Sequence, residues 1–295
     1  MKFIDPRIDF AFKKIFGSED AKDILISFLE SLLGLEGERR IAELTILDPF
    51  LAPRLKELKS TVLDVRCKDH RGISYVVEMQ VEKVAAMLKR IQYNSAKAYV
   101  GQIGKGEDYS KLKQVIAITI TDFVLFDGFD HCVSVHESCE TLTGQAHLMD
   151  ILHYFVELPK FTKALDSCKD GMDQWIYFIK YAGSIEDVPP NMTAAPIRHA
   201  FEKARVANMT PDELELYDKA GIAIADARGR LDLAREEGEQ KGRLAQRKES
   251  ILEQMEERFG SLPEWARNKV FHADLDTLKS LNKKIIHADK LDDLF

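Results

Sequence analysis

Residues 62–80 read VLDVRCKDHRGISYVVEMQ, two apolar runs about a polar turn, and each run holds one carboxylate, Asp64 or Glu78. Side chains alternate across a strand, so Leu63, Val65 and Cys67 are expected on one face and Asp64 and Arg66 on the other; Val76, Glu78 and Gln80 share a face of the second run. With KDHRG as the turn and pairing centred near Arg71, Asp64 lies across from Glu78, with Gln80 one step along. Like charges directly opposite are destabilising, and a divalent cation between them removes the conflict. Mg²⁺ suits such a pair, because it takes oxygen ligands, commonly one or two carboxylates with water and phosphate filling the shell. Held there, it would polarise a phosphodiester, acidify a water and stabilise a leaving oxygen. The alternative is structural: Asp64 and Glu78 lie on a solvated face or pair with Arg66 and Arg71. The hairpin by itself leaves both open.

The elements around it are legible in outline. SEDAKDILISFLESLLG offers Ser18 as an N-cap, acids in its first turn, apolar residues at helical spacing and Gly34 as a stop. IAELTILD reads as a strand, a connection around Pro53 follows, and then come the two strands of the hairpin. MLKRIQYNSAKAYVGQIGKG returns to a helical period. QVIAITITDFVLF is apolar on both faces, as a strand in the middle of a sheet must be. HCVSVHE and HLMDILHYFVEL are further strands, giving an α/β sandwich with a mixed sheet. Beyond residue 160 the pattern is helical. TPDELELYDKAGIAIADARGRL opens with a capping box of Thr210 and Glu213, and a second box is expected at Ser261 and Glu264. Residues 232–249 are almost wholly polar and predict a solvated helix or hinge. The expected organisation is a core over 1–160, a helical extension over 161–230, a charged helical linker over 231–249 and a small helical domain over 250–295.

Charge is distributed unevenly. The 295 residues carry a net −7, yet residues 1–120 hold 20 Lys and Arg against 17 Asp and Glu, whereas residues 121–295 hold 22 against 32. The acidity belongs to the C-terminal part, and the front half is compatible with a phosphate-bearing ligand. The four cysteines form no CxxC pair, which predicts thiols in a reducing compartment. Apolar runs fall short of a membrane span, and the N-terminus lacks the apolar region and cleavage site of a secretory signal, so the expected location is the cytoplasm.

These residues carry a resemblance. Asp64, Glu78 and Gln80, set between two helices, resemble the PD-(D/E)xK nuclease core with a Gln at the usual Lys position. More closely, the chain resembles the bacterial recombination-promoting nuclease and transposase family. The matching stretches are DPRIDFAFKKIFG, LDVRCKDHRGISYVVEMQ, RIQYNSAKAYVGQIGKGEDYSKLKQVIAITITDFVLF and DQWIYFIKYA, and the tail from Ile251 is similar to an uncharacterised helical domain that often ends such proteins. The resemblance implies a restriction-endonuclease-like α/β core, with a mixed central sheet flanked by helices and a helical C-terminal extension. It also implies a Mg²⁺-dependent DNA endonuclease, with Mn²⁺ able to substitute, in which Asp64 and Glu78 bind the metal and Gln80 orients the attacking water or a phosphate. A Gln amide lacks the positive charge that a Lys would place beside the developing oxyanion. Arg90, Tyr93 and Lys97 fall on one helical face and are candidates to replace it, or else they simply surround a core position. In DFAFKKIF the aromatic residues are read as core, Asp9 as a third carboxylate, and Lys13 and Lys14 as contacts to a DNA backbone. The runner-up function is a catalytically weakened DNA-binding or protein-interaction module on the same fold. A homodimer through the C-terminal helices is the expected assembly.

Overall fold

The computed structural model describes residues 3–48, 50, 51 and 61–295; the predicted connection around Pro53 lies outside them. The chain divides into two compact units, Met1–Ile224 and Ala225–Phe295.

The first unit begins with helix α1 (Asp9–Phe16), whose Ala11, Phe12, Ile15 and Phe16 form one buried stripe while Asp9 and Lys13 occupy the opposite side. Helix α2 (Lys22–Leu33) follows and ends where Gly34 turns left-handed at φ +60°, the stop its sequence predicts. Ser18 does not cap it through its side chain; its hydroxyl instead donates to the Lys14 carbonyl. Strand β1 (Leu44–Ile46) precedes the two-residue pair β2 (Phe50–Leu51) and β3 (Thr61–Val62). Strands β4 (Val65–Asp69) and β5 (Ser74–Gln80), helix α3 (Met87–Val100), and strands β6 (Val115–Thr121), β7 (Val133–Cys139) and β8 (Ala146–Glu157) complete the α/β portion. The sheet runs β1-β4-β5-β6-β8-β7 and is mixed: β5, β6 and β8 are mutually parallel and the other pairs antiparallel. Every residue of β6 is buried, as its apolar sequence requires of a central strand.

Helices α4 (Gly171–Tyr181) and α5 (Ala195–Ala204) join α1 and α2 in the main core, where Trp175 packs against Phe16, Phe28 and Phe178. Smaller clusters join the sheet to α3: Leu63, Val76, Ala98 and Val115 in one, Met87, Ile91 and Phe155 in the other. The sheet is therefore sandwiched between helices.

The β4–β5 turn is held by one acid. The Asp69 carboxylate, whose side chain is wholly buried, accepts from the Arg71 and Ile73 N–H groups, the Arg71 guanidinium and the Tyr75 hydroxyl. Gly72 supplies the positive φ (+87°) such a turn needs. The resulting register pairs Val65 with Val77 and Lys68 with Ser74, which is centred on Arg71 as the sequence predicts.

Helix α6 (Pro211–Phe259) starts in the first unit with the predicted box: Glu213 N–H donates to Thr210 Oγ1, and Thr210 N–H to Glu213. The polar stretch 232–249 is helical throughout, with Arg235, Lys241 and Arg243 paired to glutamates four residues away. In the second unit, α7 (Glu264–His272) and α8 (Leu275–His287) close a small core on Ile251, Met255, Leu278 and Ile285. The expected Ser261–Glu264 box is absent among the described residues. Pro263 is the N-cap of α7, so Glu264 is the first helical residue and cannot act from the third. All four cysteines are free, and no helix among the described residues is long and apolar enough to cross a membrane.

At the end of β8, Glu157 is fully buried and accepts from the Leu125 and Phe126 N–H groups and from Lys160. Burial opposes its ionisation, but these donors outweigh it and hold its pKa below the ordinary 4.5. A depressed carboxylate stabilises the fold above its unfolded pKa and ceases to do so as pH falls through its folded pKa. Replacing Glu157 with Gln should therefore cost about 1–3 kcal/mol at pH 7 in urea unfolding followed by Trp175 fluorescence. That deficit should shrink below pH 4; a deficit independent of pH would refute the role.

Candidate active site

Continuing the β4–β5 register by one step brings Asp64 opposite Glu78, but Asp64 does not continue the strand. It sits in a bend between β3 and β4, and its Oδ2 takes the Met79 N–H at 2.7 Å, so a side chain fills a place that backbone would occupy in a regular ladder. The bend also breaks the expected alternation. Leu63 packs with Val76 and Ala98 on the α3 side, whereas Val65 and Cys67 lie in the main core.

The two carboxylates are met by different helices. Asp64 faces α1: Lys13 Nζ lies 3.5 Å from its Oδ1 and 2.8 Å from Asp9 Oδ1, and the Asp9 carboxylate is near enough to Asp64 to raise its pKa. Helix α1 is held in this position by its buried stripe of Ala11, Phe12, Ile15 and Phe16, which packs in the main core beside Val65. Ahead of the helix, Arg7 bridges Asp5 and Asp122, and the Asp122 N–H donates to the Gln80 carbonyl, tying the N-terminal segment to the ends of β5 and β6. Glu78, in register with Thr119 of β6, faces α3, where Asn94 Nδ2 donates to its Oε1 at 3.1 Å.

Electrostatics mirror this division. Desolvation, then the hydrogen bond and charge of Asp9, push the Asp64 pKa up to about 7, against the opposing effects of the Met79 N–H and Lys13. Burial likewise raises Glu78, against the charge of Arg90 and the Asn94 hydrogen bond. The strain on each carboxylate thus comes first from removal from water, and the like charge beside Asp64 is Asp9. This corrects the expectation that Asp64 and Glu78 chiefly repel one another. For Lys13, burial works against the charge, but Asp9 and Asp64 more than offset it and its pKa is raised.

Of the remaining sequence candidates, Gln80 and Arg90 are brought together: the exposed Arg90 guanidinium donates to Gln80 Oε1. Tyr93 and Lys97 form their own pair, the ammonium 5.9 Å from the ring centroid, and Lys97 stands about 10 Å along the helix from Arg90. Lys14 is directed elsewhere, into an ion pair with Glu213. Sequence reasoning missed Asn94. The signal was there, since an amide interrupts the apolar stripe of Met87, Ile91 and Ala98.

Asn94 also bears on whether a hard cation fits. Its Oδ1 is buried and has no hydrogen-bond partner among the described residues, beside a carboxylate raised by burial. An orphan amide oxygen and two desolvated carboxylates are the donor chemistry Mg²⁺ accepts. Among the described residues no three His, Cys, Asp or Glu side chains converge as a ready-made cage. A cation here would hold one or two carboxylates and complete its shell with water and phosphate oxygens.

A mixed sheet between helices, with an acidic pair where β5 meets the bend before β4 and a Gln two residues beyond the glutamate, defines a PD-(D/E)xK, restriction-endonuclease-like core. The model of the PD-(D/E)XK nuclease family transposases matches residues 6–234, and the chain belongs to that family. Comparison with curated proteins and with solved structures finds no match.

The Asp9–Asp64 pair makes a measurable prediction. Without metal, Asp9→Asn should lower the Asp64 titration midpoint from about 7 toward its ordinary 3.8, read by carboxyl NMR. Because a raised carboxylate stabilises the fold below its unfolded pKa and loses that as pH climbs through the folded one, wild-type stability should fall between about pH 4 and 7, more steeply than that of Asp9→Asn. An unmoved midpoint would show that Asp9 does not share the site.

Proposed function

We propose that this protein is a Mg²⁺-dependent DNA endonuclease that hydrolyses phosphodiester bonds in recombination or transposition, acting in the cytoplasm, with Mn²⁺ able to replace Mg²⁺. One observation carries the reading: two carboxylates, the half-buried Asp64 in the bend before β4 and the buried Glu78 of β5, meet at one end of the hairpin, each with its pKa raised by desolvation. Membership of a nuclease family supports it. Asp64 and Glu78 would hold the metal, with Asn94 Oδ1 beside them. When bound, the metal would polarise the phosphate and ease departure of the leaving oxygen. Asn94 fixes the rotamer of Glu78, and Arg90 holds the Gln80 amide where water or a phosphate oxygen would meet it. In net hydrolysis a water oxygen bonds to phosphorus, the bond to the departing sugar oxygen breaks, and the water's proton is balanced by protonation of that oxygen.

Plasmid nicking tests this. Mg²⁺ should support it, chelation should end it, and Asp64→Asn and Glu78→Gln should each slow it by more than about 100-fold, beyond what loss of outer-shell support costs. Equal nicking by wild type and Asp64→Asn would sink the proposal.

The engagement of Gln80 by Arg90 favours a second reading, a module on this fold that binds DNA with weakened cleavage. DNA binding retained without cleavage under either metal would select it. Homodimerisation through the C-terminal helices is the assembly proposed, and Leu233, Phe271 and Ile286 are exposed apolar side chains there. Light scattering of the chain ended at Arg230 should then give a monomer where the full chain gives a dimer, and the same number of copies in both would exclude it.

A further inference from the structure

Gln80 leaves the site without the lysine its position would ordinarily carry, and among the described residues Arg90 and Lys13 stand near enough to compensate. Arg90 is exposed, bound to the Gln80 oxygen and open to screening by water and salt. Lys13 is half-buried against a carboxylate that is itself only 14% exposed, where the lower effective dielectric preserves its field. The position of Lys13 is imposed by the fold, since α1 is pinned by the Arg7 bridge ahead of it and by the burial of Ala11, Phe12, Ile15 and Phe16 in the main core. An ammonium has three N–H donors, of which Asp9 and Asp64 account for two.

We infer that Lys13, reaching the site from the N-terminal helix, is the catalytic cation that replaces the missing strand lysine by binding the phosphate under attack. The inference rests on the nuclease reading of the Asp64–Glu78 site. Its third donor meets a non-bridging phosphate oxygen, and its charge stabilises the negative charge that builds there as the water bonds to phosphorus and the sugar oxygen leaves. Lys13 transfers no proton. Asp9 is then a positioning residue, which fixes the ammonium over Asp64 through an i,i+4 ion pair.

Lys13→Met, Lys13→Gln and Lys13→Arg, with the surface-paired Lys219→Met as control, distinguish this from a purely charge-balancing lysine. Single-turnover nicking in Mg²⁺ at saturating DNA should fall by about 100-fold in Lys13→Met and recover in part in Lys13→Arg. DNA binding in Ca²⁺ gives a readout independent of cleavage: the slope of log affinity against log salt should drop by about 0.9, one phosphate contact, in Lys13→Met and not in Lys13→Arg. Mn²⁺ binding to the free protein should persist in every variant. Lys13→Gln keeps hydrogen bonds to Asp9 and Asp64 and carries the same expectations if the Met variant unfolds. Wild-type nicking and salt slope in Lys13→Met and Lys13→Gln would overturn the inference. If wild type does not nick but the slope still drops, the nuclease reading fails and the phosphate contact stands; if neither responds, both fail.

Discussion

The Asp69 carboxylate governs more of this structure than its place in a turn suggests. Sealed from water, it gathers two backbone N–H groups, a guanidinium and a phenol, a set of bonds too costly to break for the β4–β5 hairpin to slip. A shift of one residue would send every side chain of β5 to the opposite face. Tyr75, Val77 and Met79 would leave the main core, and Glu78 would leave Asn94. The site is thus held in register by a polar cluster at the far end of the hairpin.

That register was legible because its signals are local: a polar turn with a glycine, flanked by alternating apolar residues. The central position of β6 was legible for the same reason, since a run apolar on both faces has one place in a sheet. The bend at Asp64 was not. Alternation presumes a continuous strand, and the break depends on a carboxylate replacing a backbone partner at Met79, a contact 15 residues away. The partnership of Asp64 with α1 was less visible still. Asp9 and Lys13 precede Asp64 by about fifty residues, and nothing in DFAFKKIF beyond its polar face says which strand that face will meet. Asn94 differs from both, because a polar amide on the apolar stripe of Met87, Ile91 and Ala98 is an anomaly that the sequence itself shows.

The energetics of the site run against stability. Two carboxylates removed from water, one beside a third carboxylate, raise the free energy of the ionised fold, and an amide oxygen is left buried without a partner among the described residues. Elsewhere the buried acids Asp69, Glu157 and Asp173 are each met by several donors. The contrast within one chain is informative: where burial serves the fold the acids are fully bonded, and where they are left under-bonded they cluster at the ends of β5 and the bend before β4.

The two helices that flank the sheet divide the labour between them. Helix α3 supplies neutral and exposed groups to Glu78 and Gln80, while α1 supplies an opposing charge pair to Asp64. Loss of a lysine from the strand is tolerable only if the field it provided comes from another element at a similar distance from the reacting phosphate. A half-buried ammonium on a pinned helix meets that requirement better than a solvated guanidinium, because its charge is less screened and its position costs less entropy to fix. Conversely, a strand lysine at position 80 would stand beside Arg90 at the end of β5, where two like charges would compete for Glu78. On the proposed reading Gln80, Arg90 and Lys13 are one coupled choice, in which a neutral amide at position 80 leaves room for cations from both helices.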